Sequence, residues 1–123
     1  MWNMFGREKK WILFLITDRK RRRQIDASPE GAKYGRRVVT NAKGAVEALG
    51  DITRTWDMIV VDGLERPLIE CLRTMRAMPI IVSFVARHHT GLIIRGVTDI
   101  PDLESVIRFH LGRQSDETPM RTG

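Results

Sequence analysis

The chain has 123 residues, of which 42% are hydrophobic and 29% charged, and it carries a net charge of +6. These figures fit one soluble globular domain with a core of its own. The single cysteine, Cys71, excludes a disulfide framework and fits a reducing cytoplasm, while the positive balance favours anionic partners: nucleic acid, anionic lipid or an acidic protein face.

The start, "MWNMFG", is short and apolar, and residues 1–8 read as an N-terminal extension. Trp11 to Ile16 (WILFLI) is apolar without alternation, which predicts a strand buried on both faces. It is too short to cross a bilayer, which takes roughly 20 apolar residues. The preceding "REKK" would suit a signal peptide, but no small-residue cleavage site follows, and "DRKRRR" comes next instead. The polar stretch "DRKRRRQIDASPEGAKYG" allows only a helix that is short or broken at Pro29. Arg37 to Thr40 (RVVT) predicts a second strand, and Ala45, Val46, Leu49 and Ile52 are spaced as on a helix face.

Met58 to Val61 predicts the third strand. Leu68, Ile69, Leu72 and Met75 then mark an amphipathic helix with Pro67 in its first turn. Pro79 to Val82 (PIIV) and Leu92 to Ile94 (LII) predict strands four and five. A last helix carries Leu103, Val106, Ile107 and Leu111 on one face, capped by Thr98 or Asp99 and ended by Gly112. "RQSDETPMRTG", residues 113–123, is polar and aperiodic and is expected to be a disordered tail. Short apolar strands alternating with helices predict an α/β domain over residues 9–112, with a parallel sheet covered on both faces. Ligands of such sheets sit beyond the carboxyl ends of the strands, where Asp18 and Asp62 both fall.

The order of segments resembles the receiver domain of two-component response regulators, a flavodoxin-like module that is phosphorylated on an aspartate. "WDMIVVDGLERP" is similar to that family's third strand and the phosphoacceptor after it, a position that falls on Asp62. "LRTMRAMPIIVS" and "LIIRGVTDIPDLESVIRFHLG" are similar to its third helix with fourth strand and to its fifth strand with last helix. The resemblance implies a five-stranded parallel sheet in the order 2-1-3-4-5. It also implies an acidic, magnesium-holding pocket, a switch hydroxyl near Ser83, and a conserved lysine at the position of Arg95.

The departures bear on function. Where the family has paired acids after the first strand, this chain has Thr17 and Asp18, and a hard divalent cation needs several oxygen ligands. Arg19, Lys20, Arg21, Arg22 and Arg23 follow at once and oppose a cation. Arg95 replaces the lysine, and Gly96 the proline after it. Only "SFVARHHTG", residues 83–91, joins strands four and five, so the fourth helix is expected to be short or missing. Nine extended residues reach roughly 30 Å, enough for a parallel return, while a hairpin turning at "RHHTG" also fits.

The run Arg19 to Arg23 reads either as a solvated face or as an anion- or partner-binding patch that Lys33, Arg36 and Arg37 extend. Tyr34 is the one aromatic near it, which argues against a single-strand binder. His88 and His89 are adjacent without an acid or cysteine cluster, so no metal site is expected. His110 reads as a surface or edge residue and Cys71 as a small buried hydrophobe. No phosphate-cradling glycine loop and no nucleophile with a base partner is present.

The expectation is therefore a non-enzymatic, cytoplasmic pseudo-receiver without cofactor, acting in bacterial signalling or regulation. Its partner is a protein, with a homodimer among the options. A divergent phosphoacceptor using Asp62, or a basic nucleic-acid-associated protein, is the alternative.

Overall fold

The computed structural model describes residues 9–85, 89 and 91–112. The expected extension at residues 1–8, the tail at 113–123 and His88 lie outside them. Five strands form one sheet in the order β2-β1-β3-β4-β5, with β1 at Trp11–Leu15, β2 at Gly35–Val39, β3 at Met58–Val61, β4 at Ile80–Ser83 and β5 at Ile94–Gly96. Every neighbouring pair is parallel. The hairpin between strands four and five is thereby ruled out, and the fold is the flavodoxin-like α/β arrangement that the sequence pattern predicts.

The central strands are apolar on both sides because both sides are covered. Leu13, Leu15, Ile59, Val61 and Ile81 face helices α2 (Ala42–Leu49) and α3 (Arg66–Arg73). Ile12, Phe14, Met58, Val60 and Val82 face the other layer, formed by Ile25 of α1 (Arg19–Asp26) and by Leu103, Val106, Ile107 and Leu111 of α4 (Ile100–Leu111). Helix starts follow local chemistry. Asp18, Asn41 and Asp99 each accept a backbone N–H three residues on, and Pro67 sits in the first turn of α3, where its missing N–H costs nothing.

Close approach fixes one glycine. Gly35 pairs with Trp11 in the ladder, and a Cβ at Gly35 would collide with the Trp11 indole. Trp56 lies buried beside it, edge to face with Trp11 at 6.2 Å, and donates its indole N–H to Ala48 O at 3.0 Å.

Four expectations shift by a turn or less. α2 ends at Leu49, so Ile52 lies beyond it and is 96% exposed. β2 starts two residues earlier and ends one earlier than predicted, β4 starts at Ile80 rather than Pro79, and β5 begins at Ile94 rather than Leu92. No helix joins β4 to β5 among the described residues. Instead the connection ends with Gly91, at φ +85°, and with Leu92, which packs into the α2–α3 side of the core at 8% exposure. One leucine stands where a helix would lie, while its neighbour Ile93 is 92% exposed. Leu92→Ala should therefore destabilise the domain by about 2–3 kcal/mol, and Ile93→Ala by about 0.5 kcal/mol or less, in urea denaturation.

Candidate functional site

In this strand order the crevice that takes ligands opens between β1 and β3, where the chain's winding reverses. Asp62 follows β3 at that point. Its backbone N–H extends the ladder to Leu15 O at 3.1 Å, which aims the side chain at the loop after β1. The carboxylate accepts from Thr17 N at 2.9 and 3.1 Å, from Thr17 Oγ1 at 3.1 and 3.2 Å, and from Asp18 N at 3.1 Å. Two main-chain amides and a hydroxyl thus converge on one carboxylate. A carboxylate has about four lone-pair directions, and those toward β1 are occupied. Asp62 thus ties the β3 side of the crevice to the β1 side.

Asp18 contributes its amide to this arrangement and not its carboxylate. Its Oδ2 turns the other way and accepts from Arg21 N at 2.9 Å as the cap of α1. Arg22 reinforces the loop: one guanidinium nitrogen donates to Ile16 O at 2.9 Å and to Thr17 O at 3.1 Å. A positive charge therefore sits on the loop where the receiver resemblance implies a magnesium ion. Arg21 stacks over the Phe84 ring at 4.2 Å, joining α1 to the end of β4. Arg19, Lys20 and Arg23 are exposed, whereas Arg21 and Arg22 are half-buried.

Beside the crevice lies an open cavity of about 300 Å³ lined by Asp62, Gly63, Leu64, Glu65, Ser83 and Val85. Ser83 is buried, and its hydroxyl donates to Val85 O at 2.7 Å and accepts from Val85 N at 2.9 Å. That local ring engages the hydroxyl with the loop after β4. Arg95 is exposed on the edge strand β5, in register with Val82, and it does not line the cavity. The structure thus brings together Asp62, the Asp18 amide and the wall formed by Ser83, and leaves Arg95 outside.

Glu65, the residue before α3, is a second carboxylate on the cavity wall that sequence reasoning missed. Its signal was faint: an acid three residues after Asp62, in a loop. Among the described residues no three His, Cys, Asp or Glu side chains gather to hold a metal ion. The donor set around Asp62 does not fit magnesium. One carboxylate there is committed to amides, the next caps a helix, and a guanidinium lies on the same loop.

Other predicted residues are structural. Arg36 donates to Ile25 O at 3.1 Å, which also accepts from Ser28 N, and to Asp26 O at 3.4 Å, so it reinforces the carbonyl end of α1. Glu30, buried, holds Lys33 at 3.3 Å and Arg108 at 3.1 Å, and Ser28 donates to Glu104, so the segment before β2 is pinned to α4. Cys71 is half-buried on α3, and burial pushes its thiol pKa up. Comparison with protein-family models, curated proteins and solved structures gives no match for this chain.

Two outcomes follow. Asp62→Ala frees the Thr17 and Asp18 amides and should cost about 1–2 kcal/mol in denaturant melts, with Asp62→Asn, which keeps one acceptor oxygen, costing less. Cys71 should react with a disulfide reagent more slowly at pH 7 in the folded protein than in urea. Its rate should climb with pH toward the raised thiol pKa, because the thiolate is the nucleophile.

Proposed function

We propose that this chain is a pseudo-receiver: a non-catalytic, receiver-like module that serves bacterial signalling or regulation by holding a protein partner at its surface. The observation that carries this reading is the use of the Asp62 carboxylate as a tie to Thr17 and Asp18 rather than as a poised acceptor. Phosphoryl transfer to a carboxylate needs charge neutralisation around the transferred group. Asp62 and Asp18 are engaged elsewhere, which leaves Glu65 as the one further carboxylate on the cavity wall.

The contact surface in this reading is the exposed side of α1, with Arg19, Lys20 and Arg23. Arg19, Lys20 and Arg21 in the first turn of α1 oppose its macrodipole, and the single acid at that end, the cap Asp18, offsets them only in part. Such local conflict is expected at functional positions, and an acidic protein face would relieve it. The setting is a reducing cytoplasm, consistent with the one free cysteine. Duplex nucleic acid is the competing occupant of the same charges.

Incubation with acetyl phosphate and magnesium should leave the intact mass unchanged. A gain of one phosphoryl group that Asp62→Asn abolishes would overturn the reading in favour of a divergent phosphoacceptor. The surface is tested by titrating the chain with polyglutamate and with an unrelated DNA duplex at low and moderate salt. The comparison is with a variant carrying Ala at Arg19, Lys20 and Arg23, which spares the structural Arg21 and Arg22. Wild type should bind polyglutamate more tightly than the variant, with the difference shrinking as salt screens it. Equal binding by the two proteins would remove α1 as a contact surface, and tighter binding to the duplex would favour nucleic acid.

A further inference from the structure

Four large hydrophobic side chains are exposed among the described residues: Ile52 at 96%, Ile93 at 92%, Phe109 at 56% and Met78 at 41%. Topology collects them. Because all five strands are parallel, every segment leading into a strand lies at the amino-terminal edge of the sheet. Ile52 is in the segment entering β3, Met78 in the segment entering β4, and Ile93 directly precedes β5. These three strands are neighbours, so the three segments follow one another along the edge, with strands about 4.8 Å apart. Phe109 joins them from α4. Its neighbour Arg108 reaches Glu30 at 3.1 Å, in the segment entering β2, which places the last turn of α4 at the same edge. Asp62 and the start of α1 lie at the opposite edge.

Cations share this edge with the apolar tips. Lys9 and Lys10 precede β1, Arg54 enters β3 and Arg76 enters β4. Arg54 lies 3.7 Å and Lys9 5.7 Å from the ring centre of the half-buried Trp11. Acids share this edge as well, and among the described residues only Glu30 is paired with cations by salt bridges; the others keep their charge. Asp57 accepts from Trp11 N at 2.8 Å. Asp51 accepts from Thr53 Oγ1 at 2.6 Å and Thr53 N at 3.0 Å, and Glu30 holds Lys33 and Arg108. Asp26, at the end of α1, is a further acid there, so the four cations outnumber the acids Asp26, Asp51 and Asp57 by one.

We infer that this amino-terminal edge docks on an anionic lipid bilayer. Ile52, Met78 and Ile93 enter the interfacial layer, and Lys9, Lys10, Arg54 and Arg76 lie at the headgroups. Separate apolar tips on separate segments do not make the continuous apolar centre of a protein interface, but each can enter a soft headgroup layer alone. So few tips anchor weakly, and cations supply the second signal that stable peripheral binding requires. Lysine and arginine stems lie along the apolar layer while their charges stay wet. The inference is independent of Asp62 and of α1.

The test is cosedimentation of the full chain with vesicles of phosphatidylcholine and phosphatidylglycerol in equal parts, and with phosphatidylcholine alone. Wild type should bind the mixed vesicles and not the neutral ones. Ile52→Glu combined with Ile93→Glu should weaken binding about tenfold or more. Both residues are over nine-tenths exposed, so the fold should persist, checked by thermal melting. The variant with Ala at Arg19, Lys20 and Arg23 should bind like wild type. Absence of binding to mixed vesicles, equal binding by the double glutamate variant, or loss confined to the α1 variant would each overturn the inference. Duplex DNA binding that the double glutamate variant weakens, without vesicle binding, would mark the edge as a nucleic-acid surface and overturn it too.

Discussion

One carboxylate organises the carboxyl edge of this sheet. Asp62 reaches across from the end of β3 to the amides of Thr17 and Asp18, and so sets where β1 stops and α1 begins. The consequences run outward. With its amide held, Asp18 presents its own carboxylate to Arg21 N and starts the helix. The helix then places Arg22 on the carbonyls of Ile16 and Thr17, and Arg21 on Phe84. A loop that could have been open is held from both sides, by an anion on its N–H groups and a cation on its carbonyls. Across the mouth of what flavodoxin-like sheets leave as a ligand crevice, this chain places a solvent-facing tie between β1 and β3.

α1 shows why that tie matters. The helix buries only Ile25 among its residues, so packing gives it little. Arginine and lysine favour helix intrinsically, but like charges in sequence repel, and those in the first turn meet the positive end of the helix dipole. Local bonds offset this: the Asp18 cap at one end and the Arg36 guanidinium on the Ile25 and Asp26 carbonyls at the other. Three of its five consecutive cations still face solvent. The fold tolerates that charge; nothing inside the domain makes use of it.

The sheet was legible because burial on both faces writes continuous apolar runs, and Met58 to Val61 is wholly buried as its composition says. Helix faces were legible where the period was clean, as in Leu103, Val106, Ile107 and Leu111. Apolar residues misled where one served another purpose. Leu92 extends the "LII" run yet plugs the core ahead of β5, and Ile52 continues the spacing of α2 past its end to a solvent-exposed tip. At the candidate site, the position of Asp62 was legible and its occupation was not. The partners Thr17 and Asp18 are more than forty residues away in sequence, as are Ser28 from Glu104 and Glu30 from Arg108. No local pattern encodes such pairs.

The short β4–β5 connection has a bearing on how the domain opens. Closing a loop costs entropy that grows only slowly with length, so a connection with no helix among its described residues saves little on that account and forfeits the burial a helix would bring. β5 is left as a three-residue edge strand, bonded on one side and backed on the α3 face by Leu92 and the half-buried Ile94. Cooperative units that bury least detach first. Amide protons of β5 are therefore expected to exchange through a sub-global opening below the global unfolding energy, and those of β1 and β3 only with global unfolding. In that partly opened form β4 becomes the edge, and Ile80 to Ser83 exposes an apolar, unpaired backbone. The state most accessible from the native one is thus the state that presents a template for strand addition.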